Sequence, residues 1–283
     1  KLTALIEKVY DDWASNDLSK SFHEIVDKNI KTARFVSNCA LIAYGSITVF
    51  TLIKVFGVYL TGSIDERQLI TPVYFPWNSQ QSPIYELTFI SQSIPMLTSL
   101  YGEAIIEGQL AILILHACSK VEFVKIRIAE LSQSFHENLL DPHSMRLMIK
   151  SIYQEHLNFL SFSEDFQDSY SLICLVHVIS LTMLMITGSF SVMVAVEKQL
   201  YLEALSYALD LISIVLGSCL YCYAGQYLTT QSEGIELEIS QCPWYEFPVI
   251  HRKSVNLILM RAQVPVAITA GKFTVLSLEL FSS

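Results

Sequence analysis

The sequence is short of charge. Charged residues make up 16% of its 283 positions, where soluble domains carry about a quarter. Hydrophobic residues fill 52%, and mean hydropathy is +0.43, so water is not the main solvent for this chain. No Asn-x-Ser/Thr acceptor occurs, so nothing marks an N-glycosylated surface. Residues 1–34 are polar and lack the apolar core of a cleavable secretory signal. The six cysteines make no disulfide framework. Cys39, Cys174, Cys219 and Cys222 fall in apolar runs; Cys118 and Cys242 fall on the side expected below to be cytoplasmic. The Cys219–Cys222 pair has C-x-x-C spacing, but no second pair or histidine is near, so it reads as packing. His23, His116, His136, His143, His156, His177 and His251 are scattered, with no metal or nucleophile arrangement among them. No catalytic residue, metal or other cofactor is expected, and with a net charge of −9 no nucleic-acid partner either.

What is present is long apolar runs. Residues 35–53, 169–196 and 211–232 contain no Asp, Glu, Lys or Arg, and about 20 such residues cross a hydrocarbon core. A weaker run covers 84–118, with Glu103 and Glu107 inside it and Pro95 tolerable where neighbouring helices satisfy the freed carbonyl. The expectation is an all-α, polytopic transmembrane helical bundle with cytoplasmic helical extensions. Its spans are placed at 35–56, 84–118, 169–196 and 204–232, with a further one starting at 273–283.

Lys and Arg decide sidedness. Residues 1–34 hold Lys1, Lys8, Lys20, Lys28, Lys31 and Arg34, and the connector after the second run holds Lys120, Lys125, Arg127, Arg146 and Lys150. Arg252 and Lys253 mark a third basic connector, whereas the remaining two hold only Arg67 and Lys198. Segments 1–34, 119–168 and 233–265 are therefore expected in the cytoplasm, and 57–83 and 197–203 outside.

The inner segments carry helical stripes. Val121, Val124, Ile128, Leu131 and Phe135 recur at spacings of three and four. After Asp141–Pro142, Ile149, Ile152, His156 and Leu160 do the same. This predicts helix 119–138 continuing the second span, and helix 145–168 leading into the third. If one helix runs from 84 to 136 it is roughly 80 Å long, far more than a membrane takes, so a helical bundle below the membrane follows. Surface helices lying on lipid headgroups are the alternative. Val249, Val255, Leu257, Ile258 and Met260 supply a third bundle helix within 245–265, before a turn at Pro265 and Gly271.

Ser232, Glu236 and Trp244 followed by H-R-K-S-V-N-L-I-L-M-R-A-Q-V-P-V-A-I-T-A-G-K-F-T-V-L-S-L-E-L-F at 251–281 closely resemble the C-terminal signature of insect odorant receptors. R-A-Q-x-P (Arg261, Ala262, Gln263, Pro265) and A-G-K-F (Ala270 to Phe273) are its most specific elements, and P-x-x-F-P-W…S-P-I-Y-E from Pro72 to Glu86 resembles the same family. The resemblance extends over essentially the whole chain. It implies a subunit of a ligand-gated, non-selective cation channel: an odour-tuned chain in a heterotetramer with a shared co-receptor, without the co-receptor's long insertion between its fourth and fifth spans. It also implies that two spans lie upstream of Lys1 and most of a last one beyond Ser283. Trp244, Arg261, Gln263, Pro265 and Lys272 are then subunit-anchor residues, and Phe273, Val275 and Leu276 begin the pore helix.

By the same resemblance a small volatile ligand lodges among the outer halves of the spans, where an apolar pocket with few polar groups suits it. The first span offers Val49, Phe50, Ile53 and Phe56; the second, Phe89, Ser93, Met96 and Leu100; the third, Met183, Met185, Thr187 and Phe190; the fourth, Tyr207 and Leu211. Asp210, Glu103 and Glu107 are either an ion vestibule or, respectively, an interface residue and a pair facing the inner bundle. A G-protein-coupled heptahelical receptor is the competing class. It would show D-R-Y and N-P-x-x-Y, which are absent, and the opposite orientation. Gustatory-type channels, the related alternative, end their last span with a T-Y…Q-F motif in a region absent from this sequence, so the distinction here rests on R-A-Q-x-P and A-G-K-F. A transporter or membrane enzyme would need internal repeats or clustered ionisable groups in the spans, and neither is present.

Overall fold

A computed structural model of the chain describes residues 2–14, 20–61, 69–70, 73–78, 81–137, 139 and 141–282. Helices dominate: α1 Leu2–Ala14, α2 Lys20–Thr61, α3 Ile84–His136, α4 Pro142–Glu197 and α5 Tyr201–Gln241, then a 3₁₀ turn Trp244–Glu246 and α6 Val249–Ala262. A two-stranded antiparallel pair, β1 Thr269–Ala270 and β2 Thr274–Val275, precedes a short helix α7 Leu278–Ser282. Four of these helices are long and apolar enough to cross a membrane. The 53 residues of α3 extend about 80 Å at 1.5 Å each, so spanning and non-spanning parts share one continuous helix.

The helix ends follow from the local sequence. Asp141 caps α4: its carboxylate accepts the backbone N–H of His143 at 3.2 Å and of Ser144 at 3.4 Å. Pro142 follows at the first helical position, where no donor is needed. Between α4 and α5 the chain turns in three residues. Leu200 N–H bonds Ala195 O at 2.9 Å and Gln199 N–H bonds Val196 O at 3.0 Å, with Gln199 at φ 58°. This is a Schellman stop with glutamine in the left-handed position that glycine usually takes.

The chain divides into two compact units. One comprises Lys1–Ala33, Ala111–Ile186 and Ile214–Ser283; the other comprises Arg34–Leu110 and Thr187–Ser213. The first has a dense core. Val121, Val124, Phe159, Leu228 and Phe247 are all 0% exposed. The stripe residues Ile128, Leu131, Ile149, Ile152, His156 and Leu160 are buried too. Helices α3, α4, α5 and α6 meet there around Ile128, Ile149, Ile239, Cys242, Val255 and Ile258. Phe22, Ile25 and Val26 of α2 pack on Phe123 with Trp13 alongside.

In the other unit the described core is sparser, with Thr48, Tyr85, Thr88, Ala104, Leu110, Ala195 and Ala204 buried. Ile42, Ile53, Ile90, Ile94 and Leu202 point outward. A membrane explains this, because lipid covers apolar side chains that water would force inside. Burial is uneven among the candidate spans, from 12% of the α2 window to 56% of the α3 window.

Two expectations need correction. A helix beginning at Phe273 is replaced by the strand pair, and helix resumes only at Leu278. Gly271 at φ 62° and Lys272 at φ 63° turn the chain, and Phe273 N–H bonds Ala270 O at 3.1 Å across them, so two consecutive left-handed residues break any helix here. Within α6, Val249, Leu257 and Met260 do not face the bundle; the buried row is His251, Val255, Ile258 and Ala262.

Candidate functional site

The segment after α5 is built to clamp. Arg252 Nε donates to Phe247 O at 2.7 Å, tying α6 to the 3₁₀ turn, and Phe247 packs its ring on Phe135 at 4.7 Å. At the other end Arg261 Nη1 donates to Val264 O at 2.9 Å, and Val266 N–H donates to the buried Ser232 Oγ at 3.0 Å. The strand pair is then pinned to α4. Gly271 N–H bonds Ser171 O at 2.8 Å, and Gln167 accepts from Thr269 N–H at 2.9 Å while donating back to Thr269 O at 3.2 Å. Leu276 N–H bonds Ile268 O at 2.8 Å. Glycine is required at two contacts. A Cβ at Gly225 would lie 2.5 Å from Leu276 O, and one at Gly271 would lie 2.6 Å from Leu175 Cδ2.

The anchor candidates are distributed along this clamp. Trp244 is half-buried in the 3₁₀ turn, Gln263 closes α6 by donating its N–H to Leu259 O at 3.0 Å, and Pro265 and Lys272 are exposed. Of the pore candidates, Leu276 is 0% exposed against α5, Phe273 is 85% exposed at the hairpin tip and Val275 pairs with Thr269. Away from its buried row α6 exposes the apolar side chains of Ile250 and Leu257, at 73% and 64%, among polar ones, and Val264, two residues past the helix end, is 63% exposed.

Of the ligand candidates, Met183 and Met185 belong to the first unit, the others to the second. Val49, Phe50, Ile53, Met183 and Phe190 are exposed, while Phe89, Ser93, Met96, Met185, Tyr207 and Leu211 are half-buried. The side chains of Phe56 and Leu100 lie outside the described residues. Ser93 Oγ donates to Phe89 O at 2.8 Å within its own helix, and Phe89 stacks on Tyr85 at 6.4 Å. Leu211 packs beside Gly188, where a Cβ would make an ordinary contact 3.4 Å from Leu211 Cδ1.

Charged groups in the apolar runs have partners. Tyr44 OH donates to Glu107 Oε1 at 2.8 Å, linking α2 and α3. Both residues belong to the second unit. His177 lies against the Tyr221 ring at 4.5 Å, and Tyr221 OH donates to Cys174 Sγ at 3.2 Å. All six cysteines are free thiols.

A second polar knot was not foreseen. Trp13 Nε1–H donates to His116 Nδ1 at 3.1 Å, so His116 carries its proton on Nε2, 3.1 Å from Asp12 Oδ2. Lys120 also bonds Asp12 and lies 5.9 Å above the Phe162 ring. Burial works against the Asp12 carboxylate, but the bonds from His116 and Lys120 prevail and hold it below the usual range. Asp11–Asp12–Trp13 was the available signal: an aromatic with a donor, beside carboxylates, at the end of a short helix. Among the described residues no group of three or more His, Cys, Asp or Glu could hold a metal. Burial pushes the Cys242 thiol up to about 11, so it is not a reactive thiolate.

Four long apolar helices and a bundle of their extensions define a helical, polytopic membrane protein. The sequence profile of the family described as "7tm Odorant receptor" matches residues 5–283. Odorant receptor 13a of Drosophila melanogaster is 24% identical over 100% of this chain and 70% of its own length. Odorant receptor 82a of the same species is 23% identical over 75% of this chain and 53% of its own length. The match with odorant receptor 10a likewise takes in only 48% of that relative, so this chain spans about half the length of some of the relatives it matches. The insect olfactory receptor OR5 from Machilis hrabei, in complex with eugenol, superposes with a TM-score of 0.75 at 15% identity over 98% of this chain and 70% of that one. The chain belongs to the 7tm odorant receptor family. Membership in a receptor family accords with the expectation of a non-enzyme.

Proposed function

We propose that the chain is the odour-tuned subunit of a heteromeric, ligand-gated, non-selective cation channel in the plasma membrane of sensory neurons, assembled with a shared co-receptor into a heterotetramer. The observation that carries this is the exposed apolar surface of α6. One side is buried in the bundle through Val255, Ile258 and Ala262, while Ile250 and Leu257 are exposed away from it, followed by exposed Val264 just past the helix end. An isolated monomer gains nothing from such side chains in water, whereas a subunit interface needs them. Residues 1–34, 119–168 and 233–265 are then cytoplasmic, and the pore-lining helix starts at α7, beyond the clamp. Trp244, Arg261, Gln263, Pro265 and Lys272 shape the joint between anchor and pore.

The ligand is a small apolar volatile held by outer residues of the spans, from Val49, Phe50, Ile53, Phe56, Phe89, Ser93, Met96, Leu100, Met183, Met185, Phe190, Tyr207 and Leu211. The binding of eugenol by a fold relative supports that class of ligand. Met183 and Met185 suit it because a thioether adapts its shape. The test is co-expression of the full-length protein with the co-receptor while inward current is recorded across a broad odorant panel. Odorant-evoked, cation-carried current is expected. Silence across the panel, with surface expression confirmed, defeats the channel reading.

A further inference from the structure

A cleft of about 320 Å³ opens between α4 and α6, lined by Arg146, Ile149, Lys150, Tyr153, His251, Ser254 and Leu257. Its chemistry runs against that of the molecule. The chain carries 27 acidic and 18 basic residues, yet among the described residues no carboxylate lines this cleft. Arg146 and Lys150 are one helical turn apart on the same face of α4. Neither has an ion-pair partner among the described residues.

His251 is buried as a residue, at 7% exposure, and its ring lines the cleft with no hydrogen-bond partner among the described residues. The Ser254 and Tyr153 hydroxyls line the same space, also without partners among the described residues. Two basic side chains, an imidazole and two hydroxyls thus line one cleft, with apolar walls from Ile149 and Leu257. A guanidinium fork and an ammonium a turn away match the oxygens of a phosphate group. The volume lies at the small end of the range for small-molecule sites.

We propose that this cleft binds a phosphorylated small molecule, with Arg146, Lys150 and His251 holding the phosphate and Tyr153 and Leu257 facing the organic part. The inference rests on the cytoplasmic placement of α6 and the first part of α4 given above, but not on pore formation or odorant binding. A soluble ligand is favoured over a lipid headgroup by depth: Lys150 precedes the charge-free run that begins at Ser169 by roughly 30 Å of continuous helix.

The test is calorimetric titration of inorganic pyrophosphate into the purified full-length protein, held in nanodiscs of purely zwitterionic lipid. Saturable binding is expected, weakened about tenfold or more in the Arg146→Gln/Lys150→Gln double variant and unchanged in Lys253→Gln, which alters an exposed cation of α6 outside the cleft. Both substituted side chains of the double variant are exposed, so folding should survive, and an unchanged melting temperature verifies it. Absence of saturable binding overturns the proposal, as does equal binding by the double variant. A second arm adds phosphatidylinositol 4-phosphate to the discs. Stabilisation that depends on Arg146 and Lys150 only in that arm assigns the cleft to a headgroup and overturns the soluble ligand.

Discussion

His156 shows how one residue couples the helices of the bundle to pH. It is buried on α4, and burial, followed by the charge of Arg261, lowers its pKa from 6.5 to about 4. Because the folded value lies below the unfolded one, the neutral ring stabilises the fold fully above about pH 6.5, and that contribution is lost as pH falls to about 4. The loss reaches about 3 kcal/mol at most. Melting curves of wild type and His156→Gln over that window should show a steeper acid decline in the wild type; parallel declines would remove His156 as a cause. Two backbone positions make simpler cases. Gln199 holds a left-handed φ of 58°, so Gln199→Gly should raise stability by up to about 1 kcal/mol, readable as a higher melting temperature. Gly225→Ala should do the reverse by about 1–3 kcal/mol, because the new methyl meets Leu276 O, a backbone atom that cannot swing aside. Neither position stood out in the sequence, since a left-handed glutamine and a glycine under a distant strand leave no local pattern.

At the scale of elements, amphipathic stripes were legible and their partners were not. Val121 to Leu131 and Ile149 to Leu160 announce buried faces by spacing alone, and both are buried. In α6 the same spacing misleads, because apolar residues fall on more than one side of the helix and the sequence does not say which of them meet its own chain. The strand pair was illegible for a different reason. Thr-Ala-Gly-Lys-Phe-Thr-Val has the apolar content of a helix start, and two-residue strands are too short to show alternation. The available signal was Gly271 between β-branched residues. The exposed apolar residues of α6 and its end give the prediction for this scale. Ile250→Glu/Val264→Glu, which spares the cleft, should leave the melting temperature of the isolated subunit within about 1–2 °C of wild type, as exposed substitutions cost little. It should nevertheless abolish co-purification with the co-receptor and the odorant-evoked current. Retained co-purification would place the subunit interface elsewhere.

At the scale of the molecule, four spans were readable because length and absence of charge suffice to name a membrane helix, whereas ligand contacts were not, because lipid-facing and ligand-facing side chains share the same chemistry. Sidedness lies between these cases. The basic connectors predict it through an asymmetry that acts during insertion, and a folded chain without a membrane carries no record of that event. It is testable through exposed connector positions. Tyr74, at 94% exposure, lies between α2 and α3, and Leu139, at 69%, lies between α3 and α4. Single cysteines at these positions, in a chain whose exposed Cys39 has been replaced, can be probed with a membrane-impermeant maleimide. Tyr74→Cys should label on intact cells and Leu139→Cys only after permeabilisation. The reverse pattern would put the exposed apolar residues of α6 and the cleft beside them outside the cell. It would also put the outer ligand candidates on the wrong face for an airborne stimulus, so the channel reading and the soluble phosphorylated ligand would both lose their compartment.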